Sequence, residues 1–109
     1  MIVSLNGFAD FLSKHKKMSR LYLVNCIART ENSSTAHLGY EHYIPILRKL
    51  FKNKSDIDLV LIIYPIVSTI QMMFLNNEAL KKVTNIDYSC EKDRRLLVEK
   101  LILNGLELN

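Results

Sequence analysis

Residues 59–75 read "LVLIIYPIVSTIQMMFL", seventeen positions without a single charge. Three structures can hold such a run: a membrane span, the central helix of a small domain, or a buried strand followed by a helix. As a helix it reaches about 26 Å, short of the roughly 30 Å of a hydrocarbon core. It also carries Tyr64, Pro65, Ser68, Thr69 and Gln71, polar or helix-breaking groups that a lone span buries only at a cost. The run therefore reads as an inaccessible core segment, with no membrane partner expected.

Strand and helix compete over its first half. "IDLVLIIY" is β-branched and aromatic and stops at Pro65, as a buried strand would. Against this, Ser55 stands three residues before Asp58, the spacing with which a serine caps a helix and a carboxylate answers it. Beyond the proline, Ile66, Ile70, Met73 and Phe74 recur at helical spacing.

The flanking segments favour helix. Leu5, Phe8, Ala9 and Leu12 follow the i, i+3, i+4, i+7 pattern of an amphipathic first helix, with Ser4 or Asn6 as its cap. "SRLYLVNCIART" (19–30) suits either element. "YIPILRKLFKNK" (43–54) places Ile44, Leu47 and Phe51 on one face, with Pro45 expected in the first turn. Asn76 or Asn77 is expected to cap a short turn, and a closing helix from about Ser89 to Leu103 is expected to stop at Asn104-Gly105. The expected fold is mainly α, one domain holding a bundle of five to six helices. The alternative is a small α/β domain with a three-stranded parallel sheet, its strands near residues 1–5, 21–28 and 57–64.

A chain of 109 residues, about half of them hydrophobic, can bury a core, and three glycines with two prolines are few for an all-β domain. Two cysteines, Cys26 and Cys90, are too few for a disulfide framework. The N-terminus lacks the early charges and long apolar run of a signal peptide, so a cytoplasmic location is expected.

No motif names a chemistry. With three isolated glycines neither G-x-x-x-x-G-K-[ST] nor G-x-G-x-x-G occurs. "HLGYEH" (37–42) lacks the H-E-x-x-H spacing, and no C-x-x-C anchors a zinc site. Asp56 and Asp58 suit a helix start better than a metal pair. No cofactor, no metal and no catalytic residue is expected.

The charge is uneven. Residues 1–54 hold nine Lys/Arg against three Asp/Glu, a net of +6, whereas residues 55–109 hold six against eight, a net of −2. A basic half suits an anionic partner. The leading expectation is a non-catalytic regulator that binds duplex DNA. Lys16, Lys17, Arg20, Arg48, Lys49 and Lys52 would meet phosphates, and Asn32 and Tyr43 would meet base edges. Residues 20–53 leave room for a helix-turn-helix, although the connecting loop lacks the usual glycine turn. The competing expectation is a protein-interaction module (an inhibitor, immunity protein or adaptor) whose basic face meets an acidic protein. In either case "RRLLVEKLILNGLEL" (94–108) holds more leucine than one face needs, so Leu97 and Leu101 are candidate contacts of a homodimer.

Overall fold

The computed structural model describes residues 2–28 and 34–107, with side chains described for 2–24 and 42–105. Six helices follow one another: α1 (Ile2–Lys14), α2 (Lys16–Ala28), α3 (Ser34–Leu50), α4 (Asp56–Leu75), α5 (Asn77–Thr84) and α6 (Glu91–Glu107). No strand occurs among the described residues, so the helical bundle stands and the three-stranded alternative falls.

The opening run is one helix. Ser55 is the cap of α4: its Oγ accepts from the Asp58 amide at 3.3 Å and donates to the Asp58 carboxylate at 2.9 Å. Asp56 and Asp58 place negative charge on the first turn, where the helix dipole favours it. Pro65 does not end the helix. Its ring is exposed, and so is Leu61, the residue whose carbonyl loses its N–H donor to the proline. Thr69 Oγ1 returns a bond to the Pro65 carbonyl at 2.5 Å. Including its first turn, α4 has twenty residues and a length of about 30 Å, the thickness of a hydrocarbon core. Length therefore does not exclude a crossing, as it did for the seventeen-residue run.

In this bundle α4 is the central element. It packs against α1, α3, α5 and α6, and α1 packs against α6. Leu59, Ile62, Ile63, Ile66, Ile70 and Phe74 form its buried face. They join Leu5, Ala9 and Leu12 of α1, Ile44 and Leu47 of α3, and Val98 and Ile102 of α6 in one core.

Local expectations fail at several helix ends. Ser4 and Asn6 lie within α1 instead of capping it, and Pro45 lies inside α3, beyond its first turn. Asn104 and Gly105 lie inside α6, which runs on to Glu107. A Cβ on Gly105 would stand 3.1 Å from Ile66 Cδ1, so the glycine allows α6 to approach α4 closely. Asn76 does precede α5, but its side chain bonds back to the Met72 carbonyl and leaves the new helix uncapped. Asn85 closes α5 in the left-handed region at φ 60°, a conformation asparagine tolerates better than most residues.

α2 lies on the rim. It packs mainly on α1, buries Ser19 and Leu23, and exposes Met18, Leu21, Tyr22 and Val24. α3 packs instead on α4, and among the described residues α2 and α3 share no substantial contact. A helix-turn-helix requires those two helices to pack against each other.

Candidate interaction surface

The expected cations fall into two groups at opposite ends of α4. Lys16, Lys17 and Arg20 occupy the start of α2. Lys16 Nζ lies 3.4 Å from Ser89 Oγ, and the Arg20 guanidinium stands 5.5 Å from the centre of the Phe74 ring. Lys17 makes no ion pair among the described residues. Lys16 and Arg20 border a nook of about 100 Å³ shared with Ser13, Asn77, Glu78 and Ser89. The second group, Arg48, Lys49 and Lys52, lies at the α3–α4 turn. Arg48 is committed there: its Nε and Nη2 reach the two Asp56 oxygens at 2.9 and 2.7 Å. That bidentate bond holds the Asp56 carboxyl below its usual range. Lys49 and Lys52 are exposed and make no ion pair among the described residues.

Phe74 and Asp56 are eighteen positions apart on one helix, about 27 Å of axis. The cations at its two ends are thus separated by apolar surface.

Tyr43, expected at base edges, is 5 % exposed, and its hydroxyl accepts from Ser4 Oγ at 3.2 Å. Burial raises its ionisation range, and the Ser4 bond opposes that shift. The neighbouring ring of His42 meets the same Ser4 Oγ at 2.8 Å through Nε2. Asn32, and the side chains of Cys26, His37 and Glu41, lie outside the described residues. Leu97 and Leu101 are half-buried and pack against the core of their own chain, while Leu96 and Leu103 face outward on α6.

Two features escaped sequence reasoning. The first is a polar latch between α1 and α6. Asp10 accepts from Arg94 Nε at 3.0 Å and from both terminal nitrogens of Arg95 at 2.9 and 2.6 Å. Arg94 Nη1 also reaches Ser13 Oγ and the carbonyls of Tyr88 and Ser89, and Tyr88 Oη donates to the Ala9 carbonyl at 3.0 Å. No local signal announces a bond spanning 84 positions.

The second is the outward side of α4. Ile57, Leu61, Tyr64 and Met72 are exposed at 62, 64, 52 and 48 %, with Ser68 half-buried between them. The spacings of four, three, four and four residues align them on one face, opposite the buried one. At its C-terminal half this stripe opens into a groove of about 470 Å³ between α4 and α5, floored by Met72, Met73, Leu80 and Val83. The uniformly apolar sequence of the helix concealed that it has two faces.

No nucleophile–base pair is assembled in that groove, which is lined by apolar groups, small hydroxyls and one asparagine. Comparison of the chain with known protein families, with characterised proteins and with solved structures finds no match.

Proposed function

We propose that the chain is a non-catalytic protein-interaction module whose docking surface is the outward face of α4 and the α4–α5 groove. The observation that supports this reading is the stripe itself. A charge-free helical face about 22 Å long from Ile57 to Met72 is exposed on a small bundle. Contiguous exposed apolar surface of this kind marks an interaction site. The divided cations support the same reading, since they form no single stripe along which a duplex backbone would run.

DNA binding is the second reading. It rests on Lys16, Lys17 and Arg20, exposed together at the start of α2, with Lys49 and Lys52 as the second contact. One titration separates the two. The purified chain is mixed with duplex DNA at two salt concentrations, alongside a Lys16→Ala/Lys17→Ala variant. The interaction-module reading expects no steeply salt-dependent complex. A log–log slope of about −0.9 per neutralised phosphate, flattened in the variant, would replace it with the DNA reading.

A further inference from the structure

We propose that the nook between the start of α2, the start of α5 and the α5–α6 turn binds a phosphoryl dianion, either free phosphate or the end of a phosphate monoester. The site is separate from the α4 face and does not depend on it.

Its positive charge is unspent. Lys16 and Arg20 stand one turn apart on α2, so both side chains project from the same face of that helix. The other arginines with described side chains each meet a carboxylate: Arg48 meets Asp56, and Arg94 and Arg95 meet Asp10. Among the described residues Arg20 is the exception, and Lys16 makes no ion pair there either. Arg20 is held instead by an aromatic face. Its guanidinium lies 5.5 Å from the centre of the buried Phe74 ring, which meets the Tyr88 ring edge-on at 5.7 Å. A guanidinium placed over a ring keeps its edge N–H groups free, in the fork that matches phosphate oxygens.

Neutral donors border the same space. Ser13 Oγ accepts from Arg94 Nη1 at 3.2 Å and gives its own proton to no described group. Ser89 Oγ accepts from Lys16 Nζ at 3.4 Å and from Asn77 Nδ2 at 3.5 Å, long contacts that a charged acceptor would displace. The nook measures about 100 Å³. At about 30 Å³ per water it holds roughly three waters, the space of one phosphoryl group. Any organic part of a monoester stays in solvent.

The donor set selects the class of anion. A carboxylate offers a planar pair of oxygens, which Arg20 alone can satisfy. A phosphoryl group carries about −1.5 to −2 charges at neutral pH and presents its oxygens in several directions. It can therefore engage α1, α2 and the α5–α6 turn together. A diester is chain on both sides and does not enter so small a space. Glu78 also borders the nook, and its charge opposes an anion.

Calorimetric titration of the full chain at constant ionic strength tests this, with phosphate, phenyl phosphate, dimethyl phosphate and acetate as probes. Phosphate and phenyl phosphate should bind saturably, and acetate and dimethyl phosphate should not. Arg20→Gln should weaken binding by at least about tenfold. Glu78→Gln should tighten it about two- to fivefold, and Lys52→Ala should leave it unchanged. Both nook side chains are exposed, so circular dichroism should show each variant as helical as the parent. Phenyl phosphate binding more tightly than phosphate supports the site and names a phosphorylated ligand; equal affinity supports it and names the free ion. Absence of saturable binding by both overturns the site, as does binding that Arg20→Gln leaves unchanged or that Glu78→Gln weakens. Acetate binding as tightly as phenyl phosphate overturns the phosphoryl class. Dimethyl phosphate doing so overturns it too, and returns Lys16 and Arg20 to the DNA reading.

Discussion

Arg94 and Asp10, 84 positions apart, meet at 3.0 Å and join the last helix of the bundle to the first. Arg94 is 8 % exposed, and its remaining bonds go to Ser13 Oγ and to the carbonyls of Tyr88 and Ser89. A buried guanidinium with this many acceptors specifies where α6 begins relative to α1. Removing one partner of such a set costs more than the set contributes, because the others are left buried and unpaired.

Arg94→Ala should therefore destabilise the domain by about 2–4 kcal/mol, measured by urea unfolding. Arg95 holds the same carboxylate from a more exposed position, and Arg95→Ala should cost clearly less. Equal losses would show that burial does not decide the contribution.

Acid should loosen the same latch. Hydrogen bonds from Arg95, then Arg94, hold the Asp10 carboxyl below its ordinary range, and Asn77 with the Ser89 amide does the same for Asp87. A depressed carboxyl contributes stability that is fully present above its unfolded value of about 3.9 and is lost as pH falls through the lower folded value. Thermal midpoints should thus be level near neutrality and fall below about pH 4. Asp10→Asn should begin lower and show a shallower decline. Burial acts with the opposite sense on Tyr88, whose hydroxyl is raised. Its contribution is present below the unfolded value of about 10 and is lost as pH rises beyond it, so Tyr88→Phe should blunt alkaline unfolding.

The two sides of α4 should answer charge differently. Ile63 is 1 % exposed and Ile70 likewise, so Asp at either buries an unpaired carboxylate and should abolish cooperative unfolding. Leu61, two positions before Ile63, is 64 % exposed, and Leu61→Asp should leave the helical spectrum and the melting midpoint of the isolated chain close to the parent's. Unfolding by Leu61→Asp at low protein concentration would mean that the stripe belongs to the core.

Two glycines within helices give a paired test. A Cβ on Gly7 would meet nothing within 4 Å, so Gly7→Ala removes chain entropy from the unfolded state at no steric cost. It should stabilise by about 0.5–1 kcal/mol. At Gly105 the same gain is opposed by Ile66 Cδ1 at 3.1 Å. Gly105→Ala should gain little or nothing, and Gly105→Leu should destabilise by forcing α6 away from α4.

The sequence by itself determined the amphipathic first helix, the helical repeat after Pro65 and the spacing for a cap at Ser55, and it favoured the helical class while leaving residues 21–28 and 57–64 open between strand and helix. Each rests on residues a few positions apart: the 5-8-9-12 stripe of α1, the Ser55–Asp58 pair, the 66-70-74 repeat after Pro65. Such short-range patterns act through the geometry of one helix turn, which sequence spacing contains in full. Only the tertiary structure decided which side of α4 is buried, because both of its sides are apolar and only the positions of α1, α3 and α6 distinguish them. It decided likewise that Tyr43 turns inward to Ser4, that Arg48 is spent on Asp56, and that α6 runs through Asn104 and Gly105 because the glycine lies against Ile66. Above all it decided that Asp10 meets Arg94 and Arg95. Those bonds exist because two helices distant in the chain pack side by side, and no periodicity within either helix encodes its neighbour.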